Sequence, residues 1–195
     1  MERPLETKQQ IKQHLRKVLL QQRQALSPKE WREKSNRLCQ NLHSLALFQT
    51  AQTILTYISV RQEPDLTALF TLEKTWGLPR CVGQQLVWHR WSPAAEFSLQ
   101  VGKFGILEPH PDTPRLEATQ VDLILVPALA CDRQGYRLGY GGGFYDRMLS
   151  QPVWANKPAI APIFDQALVP TLPVEPWDQP VSGICTESGW FAVPS

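Results

Sequence analysis

Between Thr7 and Gln24 the apolar positions include Ile11, Leu15, Val18 and Leu19. Their i, i+4, i+7, i+8 spacing is one stripe of a 3.6-residue helix and predicts a helix over 7–24. Leu26 ends the pattern. Ser27-Pro28-Lys29-Glu30 then opens a second helix, with Ser27 as N-cap, Pro28 at the first helical position and Glu30 closing a capping box. Trp31, Leu38, Leu42 and Leu45 supply its buried face. Beyond them the period changes. Residues 53–59, Thr-Ile-Leu-Thr-Tyr-Ile-Ser, predict a buried strand. Asp65 predicts the cap of a helix running to Trp76, closed by Gly77 and Pro79. Strands are predicted over 86–91, 121–127, 158–164 and 181–186, with 121–127 the strongest. A loop and then a helix over 144–150 follow that strongest strand. Pro162, Pro170, Pro173, Pro176 and Pro180 make 165–180 a rigid, irregular connection. Strands alternating with helices predict an α/β fold with a mainly parallel, helix-covered sheet.

Composition narrows the class. The chain has 195 residues, 43% hydrophobic and 19% charged. That excludes a disordered chain, a collagen and a coiled coil. A single domain over 1–195 is expected, and at this size it buries about 70% of its unfolded surface without staples. No window approaches the ~18 apolar residues of a membrane span, and 1–12 carry no apolar signal region. The expectation is a cytoplasmic protein with no membrane contact. Cys39, Cys81, Cys131 and Cys185 form no CxxC and lack a His at zinc spacing, so they are expected as separate, reduced thiols.

Charge changes the picture further. Residues 1–45 hold ten Lys/Arg against four Asp/Glu, and the rest holds ten against fourteen. A basic arm on an acidic body fits a nucleic-acid contact, a polyanionic ligand or two solvated helices. Glu2, Glu6, Glu30 and Glu33 interrupt the arm and no aromatic-rich basic motif accompanies it, so no nucleic-acid partner is expected.

The chemistry concentrates in residues 132–147, between the strongest strand and a helix. In an open α/β sheet ligands sit outside the carboxyl ends of the strands, where this loop belongs. Gly139, Gly141, Gly142 and Gly143 remove side chains so that backbone N–H groups can approach a phosphate. The following helix N-terminus adds about half a positive charge, and Arg137 offers a bidentate fork. Neither GxxxxGK[ST] nor GxGxxG is present. On these residues alone a phosphate cradle and a plain strand-end turn both stand. Asp146 suits either a Mg²⁺ ligand or a first-turn acid, and Glu63 reads as an ordinary loop carboxylate.

Arg137 to Arg147, RLGYGGGFYDR, resembles the signature of the 5-formyltetrahydrofolate cyclo-ligase (methenyltetrahydrofolate synthetase) family. Minor motifs follow in the family's order: Lys12-x-x-Leu15-Arg16, Ile58-Ser59-Val60-x-x-Glu63, Leu78-Pro79-Arg80, Phe104-Gly105-Ile106-Leu107-Glu108-Pro109, the D-L-I-x-x-P of 122–127, Trp177-Asp178 and Ile184-Cys185-Thr186-Glu187. The resemblance implies a single three-layer α/β/α domain similar to the NagB/RpiA/CoA-transferase group. It implies ATP-dependent closure of 5-formyltetrahydrofolate to 5,10-methenyltetrahydrofolate, with ADP and phosphate released. It places Lys12, Arg16, Arg137, Leu138, Gly139, Tyr140, Gly141, Gly142, Gly143, Phe144 and Tyr145 on ATP, with Lys12 and Arg137 catalytic. Ile58, Glu63 and the Tyr140–Phe144 stretch fall to the folate, and Asp146 and Asp178 to Mg²⁺. A monomer is implied. A non-catalytic relative that binds folate or nucleotide is the alternative. Two positions depart from the family: Gly142 stands where some members carry Lys, and Phe144 where Tyr is frequent.

Overall fold

In a computed structural model describing residues 7–94 and 99–193, the first apolar stripe becomes α1 (Lys8–Gln24). Thr7 caps it through a capping box with Gln10, and the box at Ser27 and Glu30 opens α2 (Pro28–Ser44). The shorter helices are α3 (Ala46–Thr50), α4 (Phe144–Leu149) and α5 (Pro152–Ala155). In chain order the strands are β1 (Thr53–Leu55), β2 (Thr75–Val82), β3 (Gln85–Trp91), β4 (Gln100–Val101), β5 (Leu107–Glu108) and β6 (Leu123–Leu125). They continue as β7 (Ala130–Asp132), β8 (Arg137–Leu138), β9 (Ala159–Pro162), β10 (Leu168–Val169), β11 (Gly183–Thr186) and β12 (Gly189–Ala192).

Seven strands form the main sheet in the order β12-β11-β9-β6-β1-β2-β3. The inner pairings are parallel, and the two outermost, β2–β3 and β11–β12, are antiparallel. The expected mainly parallel α/β sheet is therefore present. Successive side chains of a strand point to opposite faces, and the two cores follow that alternation. Ile54, Leu123, Leu125, Ile160 and Cys185 pack with Leu38, Leu42, Phe48 and Trp76 on the face covered by α2 and α3. Leu55, Ile124, Val126, Ala161 and Ile184 pack with Leu19, Met148, Leu149 and Trp154 on the face covered by α1, α4 and α5. The result is three layers.

The expected helix from Asp65 to Trp76 does not form. A single 3₁₀ turn, Thr67–Thr71, stands there, and Trp76, Gly77 and Pro79 belong to β2. Asp65 still caps: its Oδ1 accepts from the Thr67 N–H at 3.0 Å. Gly77 is a packing glycine rather than a stop signal, because a Cβ there would lie 2.5 Å from Leu55 Cδ2. Pro79 is tolerated because the β1 partner ends at Leu55 opposite Gly77. The strand expected over 86–91 is present as Gln85–Trp91, whereas those expected over 53–59, 121–127, 158–164 and 181–186 are shorter, at Thr53–Leu55, Leu123–Leu125, Ala159–Pro162 and Gly183–Thr186.

One region read as plain loop carries its own sheet, ordered β10-β7-β8. The β7–β8 hairpin is organised by Asp132, which is fully buried. Its Oδ1 accepts from the N–H groups of Gln134 and Tyr136, both at 3.0 Å, and its Oδ2 from Leu172 at 3.1 Å. One carboxylate thus ties the approach to the glycine loop to the proline-rich connection.

Candidate active site

The loops at the carboxyl edge of the sheet meet beneath α1. The glycine loop leaves β8 and enters α4, with Gly143 as N-cap. Gly141 (φ 99°) and Gly143 (φ 65°) are left-handed, a region costly for any residue with a Cβ. Arg147 pins the loop from outside: Nη2 donates to the Gly142 carbonyl at 2.8 Å and Nε to the Gln84 carbonyl at 2.9 Å. Because α4 is six residues long, loop amides and side-chain cations, not a long helix, supply the positive character.

Three cations converge here. Arg16 Nε donates to the Gly139 carbonyl at 2.9 Å, and its guanidinium carbon would stand 3.5 Å from a Cβ on Gly141. Lys12, one turn earlier on the same helix face, pairs with Asp178. Arg137, with its side chain 4% exposed, forks between Asp146 Oδ1 at 2.9 Å and the Gln179 carbonyl. The structure therefore brings together Lys12, Arg16, Arg137, Asp146, Asp178 and the glycine loop. Leu138 differs in kind: its side chain is core, and its carbonyl accepts from Leu129 at 2.8 Å.

Both acids accept from one stretch of chain, residues 175–179. Gln179 N–H donates to Asp146 Oδ1 at 3.2 Å, next to Asp178, whose Oδ2 accepts from Lys12 and, at 2.8 Å, from the Glu175 N–H. Among the described residues no group of three or more His, Cys, Asp or Glu could enclose a metal. Two carboxylates, each bonded through one oxygen, are a donor set that fits Mg²⁺, which usually takes one or two carboxylates and completes its shell with water and phosphate.

On the other side of the loop lies Glu63, 2% exposed. The turn that carries it is strained, with Arg61 (φ 49°) and Gln62 (φ 58°) both left-handed. Such consecutive non-glycine outliers persist only where the surroundings enforce them. Trp31 Nε1 donates to the Glu63 carbonyl at 2.8 Å, and Ser59 Oγ to the same oxygen at 2.7 Å. The carboxylate accepts from the Val60 N–H at 3.1 Å and from the Tyr140 hydroxyl at 3.0 Å. Burial pushes the Glu63 carboxyl above its usual range, against the opposing pull of Arg23 and these hydrogen bonds. Ile58 sits half-buried beside it against the α2-side core. The Tyr145 hydroxyl is buried with no hydrogen-bond partner, its ring 6.3 Å from Trp88.

Two contributors have no site role in the sequence reading. Phe104, 62% exposed, sets its ring 6.1 Å from Phe144 edge to face, bringing the Phe104–Pro109 motif to the glycine loop. Arg23, 4% exposed, donates to the Tyr140 hydroxyl from the last turn of α1. Its signal was available: it lies four residues after Leu19, in phase with the buried stripe, where a cation needs partners. Burial pushes the Cys39, Cys131 and Cys185 thiols up to about 12 and raises that of Cys81 as well, which disfavours the thiolate form at all four.

An open α/β sheet with a cation-rimmed glycine loop at its carboxyl edge defines an α/β protein whose loop and cations suit an anionic ligand. The family profile for the 5-formyltetrahydrofolate cyclo-ligase family matches residues 8–187. The chain is 34% identical to the 5-formyltetrahydrofolate cyclo-ligase of Mycolicibacterium smegmatis over 186 residues, covering 90% of this chain and 93% of the relative. It is 29% identical to the Escherichia coli K12 cyclo-ligase over 181 residues, covering 88% and 97%. The solution structure of Aquifex aeolicus 5,10-methenyltetrahydrofolate synthetase superposes with a TM-score of 0.83 at 35% identity, covering 95% of this chain and 94% of that one. The chain belongs to the 5-formyltetrahydrofolate cyclo-ligase family.

Proposed function

We propose that this protein closes 5-formyltetrahydrofolate to 5,10-methenyltetrahydrofolate with ATP, releasing ADP and phosphate. The observation that carries the reading is the glycine loop itself, with Lys12, Arg16 and Arg137 on one flank and the buried Glu63, bonded to Tyr140 of the loop, on the other. One loop can then hold both substrates with their reacting atoms close.

The chemistry asks for position and charge more than for a protein nucleophile. A formamide oxygen leaves poorly. Transfer of the γ-phosphoryl to that oxygen gives an iminophosphate, N10 of the folate attacks the activated carbon, and phosphate departs. Lys12, Arg16 and Arg137 neutralise the triphosphate, while the amides of 138–145 seat it. Lys12 and Arg137 follow the charge that develops during transfer. Asp146 and Asp178 would hold Mg²⁺, which when bound screens the phosphate oxygens. Glu63 accepts N–H groups of the pterin, with Ile58 and the 140–144 backbone along the ring, and the Tyr145 hydroxyl gains a partner from a ligand. With Gly142 in place of a loop lysine, phosphate charge rests on the three cations named.

We read the protein as a cytoplasmic monomer with small-molecule substrates. Its unpaired cysteines support a reducing compartment. Lys12, Arg16 and Arg23 of the basic arm bond inward to the domain, which supports a reading without a nucleic-acid partner. No helix among the described residues is long and apolar enough to cross a membrane. The test is the methenyl chromophore: purified protein with Mg-ATP and 5-formyltetrahydrofolate should generate its absorbance. Folate binding without product, beside a working control enzyme, would refute the reading and favour a non-catalytic relative.

A further inference from the structure

Arg23 is almost out of water, a costly place for a guanidinium unless its donors are paired. Three are. Nε donates to the Arg61 carbonyl at 3.0 Å, Nη1 to the Ala128 carbonyl at 3.3 Å, and Nη2 to the Tyr140 hydroxyl. These partners sit on three different segments: the left-handed turn after β1, the segment after β6, and the glycine loop. Two backbone carbonyls would satisfy an arginine that merely staples the fold. The third contact is different, because Tyr140 passes it on by donating to Glu63 Oε1 at 3.0 Å. Arg61 adds a second guanidinium 5.4 Å from the Tyr140 ring centroid.

We propose that Arg23 is a positioning residue: by fixing the Tyr140 hydroxyl against Glu63 it makes the placement of that hydroxyl a condition for folate binding, while the backbone of the glycine loop serves ATP without it. The inference rests on the assignment of Glu63 to the folate. It identifies Tyr140 as the joint between the subsites and Arg23 as the residue that holds it. Lysine cannot stand in, since a point charge on a flexible stem does not span three fixed acceptors as a planar fork does. The ionisable groups facing Glu63 are Arg23 from α1, Arg61 and Tyr57 from the segment after β1, Tyr140 from the glycine loop and Tyr145 from α4.

The experiment uses the full chain and the methenyl absorbance assay, varying ATP and 5-formyltetrahydrofolate separately. Tyr140→Phe removes only the hydroxyl and should raise the folate KM about tenfold, the value of a hydrogen bond to a charged group. The ATP KM should stay within about twofold, and Arg23→Lys should reproduce this split, with the double variant no worse than the worse single one because both act through one contact. In Tyr140→Phe the acid limb of kcat/KM for folate should move to higher pH, since the carboxylate loses a donor that favours its charged form. An unchanged folate KM, additive effects in the double variant, or both KM values rising together with a lower melting temperature would each overturn the proposal. If Arg23→Lys fails to fold, Tyr140→Phe decides alone. A wild-type protein that makes no product removes the cyclo-ligase reading itself, whereas an active wild type with no split in the variants removes only the role of Arg23.

Discussion

Lys12 and Asp178 stand 166 positions apart in the chain and meet as an ion pair, each side chain only 12–13% exposed. The contact ties the first helix to the proline-rich connection across the mouth of the glycine loop. Lys12→Ala should therefore raise the ATP KM by at least about tenfold, within the 1.5–3 kcal/mol of a hydrogen bond to a charged group. The folate KM should hardly move. Steady-state kinetics with each substrate varied in turn checks the split, and equal rises in both would place Lys12 elsewhere.

Arg137 bridges loop and connection through Asp146 and Gln179. Arg137→Ala should lower kcat/KM for ATP at least about tenfold, or ~1.4 kcal/mol of barrier. Arg137→Lys keeps the charge but loses the fork, so it should fall between wild type and alanine. Unchanged turnover in the alanine variant would remove Arg137 from the site.

Glu63 gives a pH signature. Burial raises its carboxyl pKa, so the proton that must leave for the carboxylate to accept pterin N–H groups is held to a higher pH than on an exposed glutamate. As pH falls through that raised value the carboxylate is lost and folate binding weakens. The acid limb of kcat/KM for folate should lie above the ordinary carboxylate range and vanish in Glu63→Gln, which should be slow at every pH. A limb that persists in Glu63→Gln assigns it to another group.

Asp132 should govern stability. Asp132→Ala leaves the part-buried N–H groups of Gln134 and Tyr136 and the buried N–H of Leu172 without their acceptor. The expected loss is about 2–4 kcal/mol, read from the shift in denaturant midpoint at constant m-value. A shift indistinguishable from zero would mean that other groups hold the hairpin.

Much of this was legible from residues alone, and the reasons are local. The stripe Ile11–Leu15–Val18–Leu19 and the box at Ser27 act within one or two turns, so α1 and α2 appear where the pattern sets them. Lys12 and Arg16 were legible as neighbours through helix spacing, and the glycine loop through composition. The segment from Asp65 to Trp76 misled because Gly77 and Pro79 carry the local marks of a helix end. Their actual roles, close approach to Leu55 and a strand position past its partner, depend on residues far away in sequence. The same holds for the small β10-β7-β8 sheet, whose strands are two or three residues long and hang on a single carboxylate. Glu63 looked like any surface acid because the groups that bury it, Trp31, Tyr140 and Arg23, come from three other segments.

The middle of the sheet has a consequence of its own. Leu123, Ile124, Leu125 and Val126 are fully shielded, and they alternate between the two interiors. The sheet is thus a shared partition, and the ligand-side rim is hung from it with no independent footing. A void opened beneath α2 at Leu42, or beneath α3 at Phe48, should slacken the rim as surely as one beneath α4. Distant apolar substitutions would then register as loosened substrate grip well before the polypeptide melts.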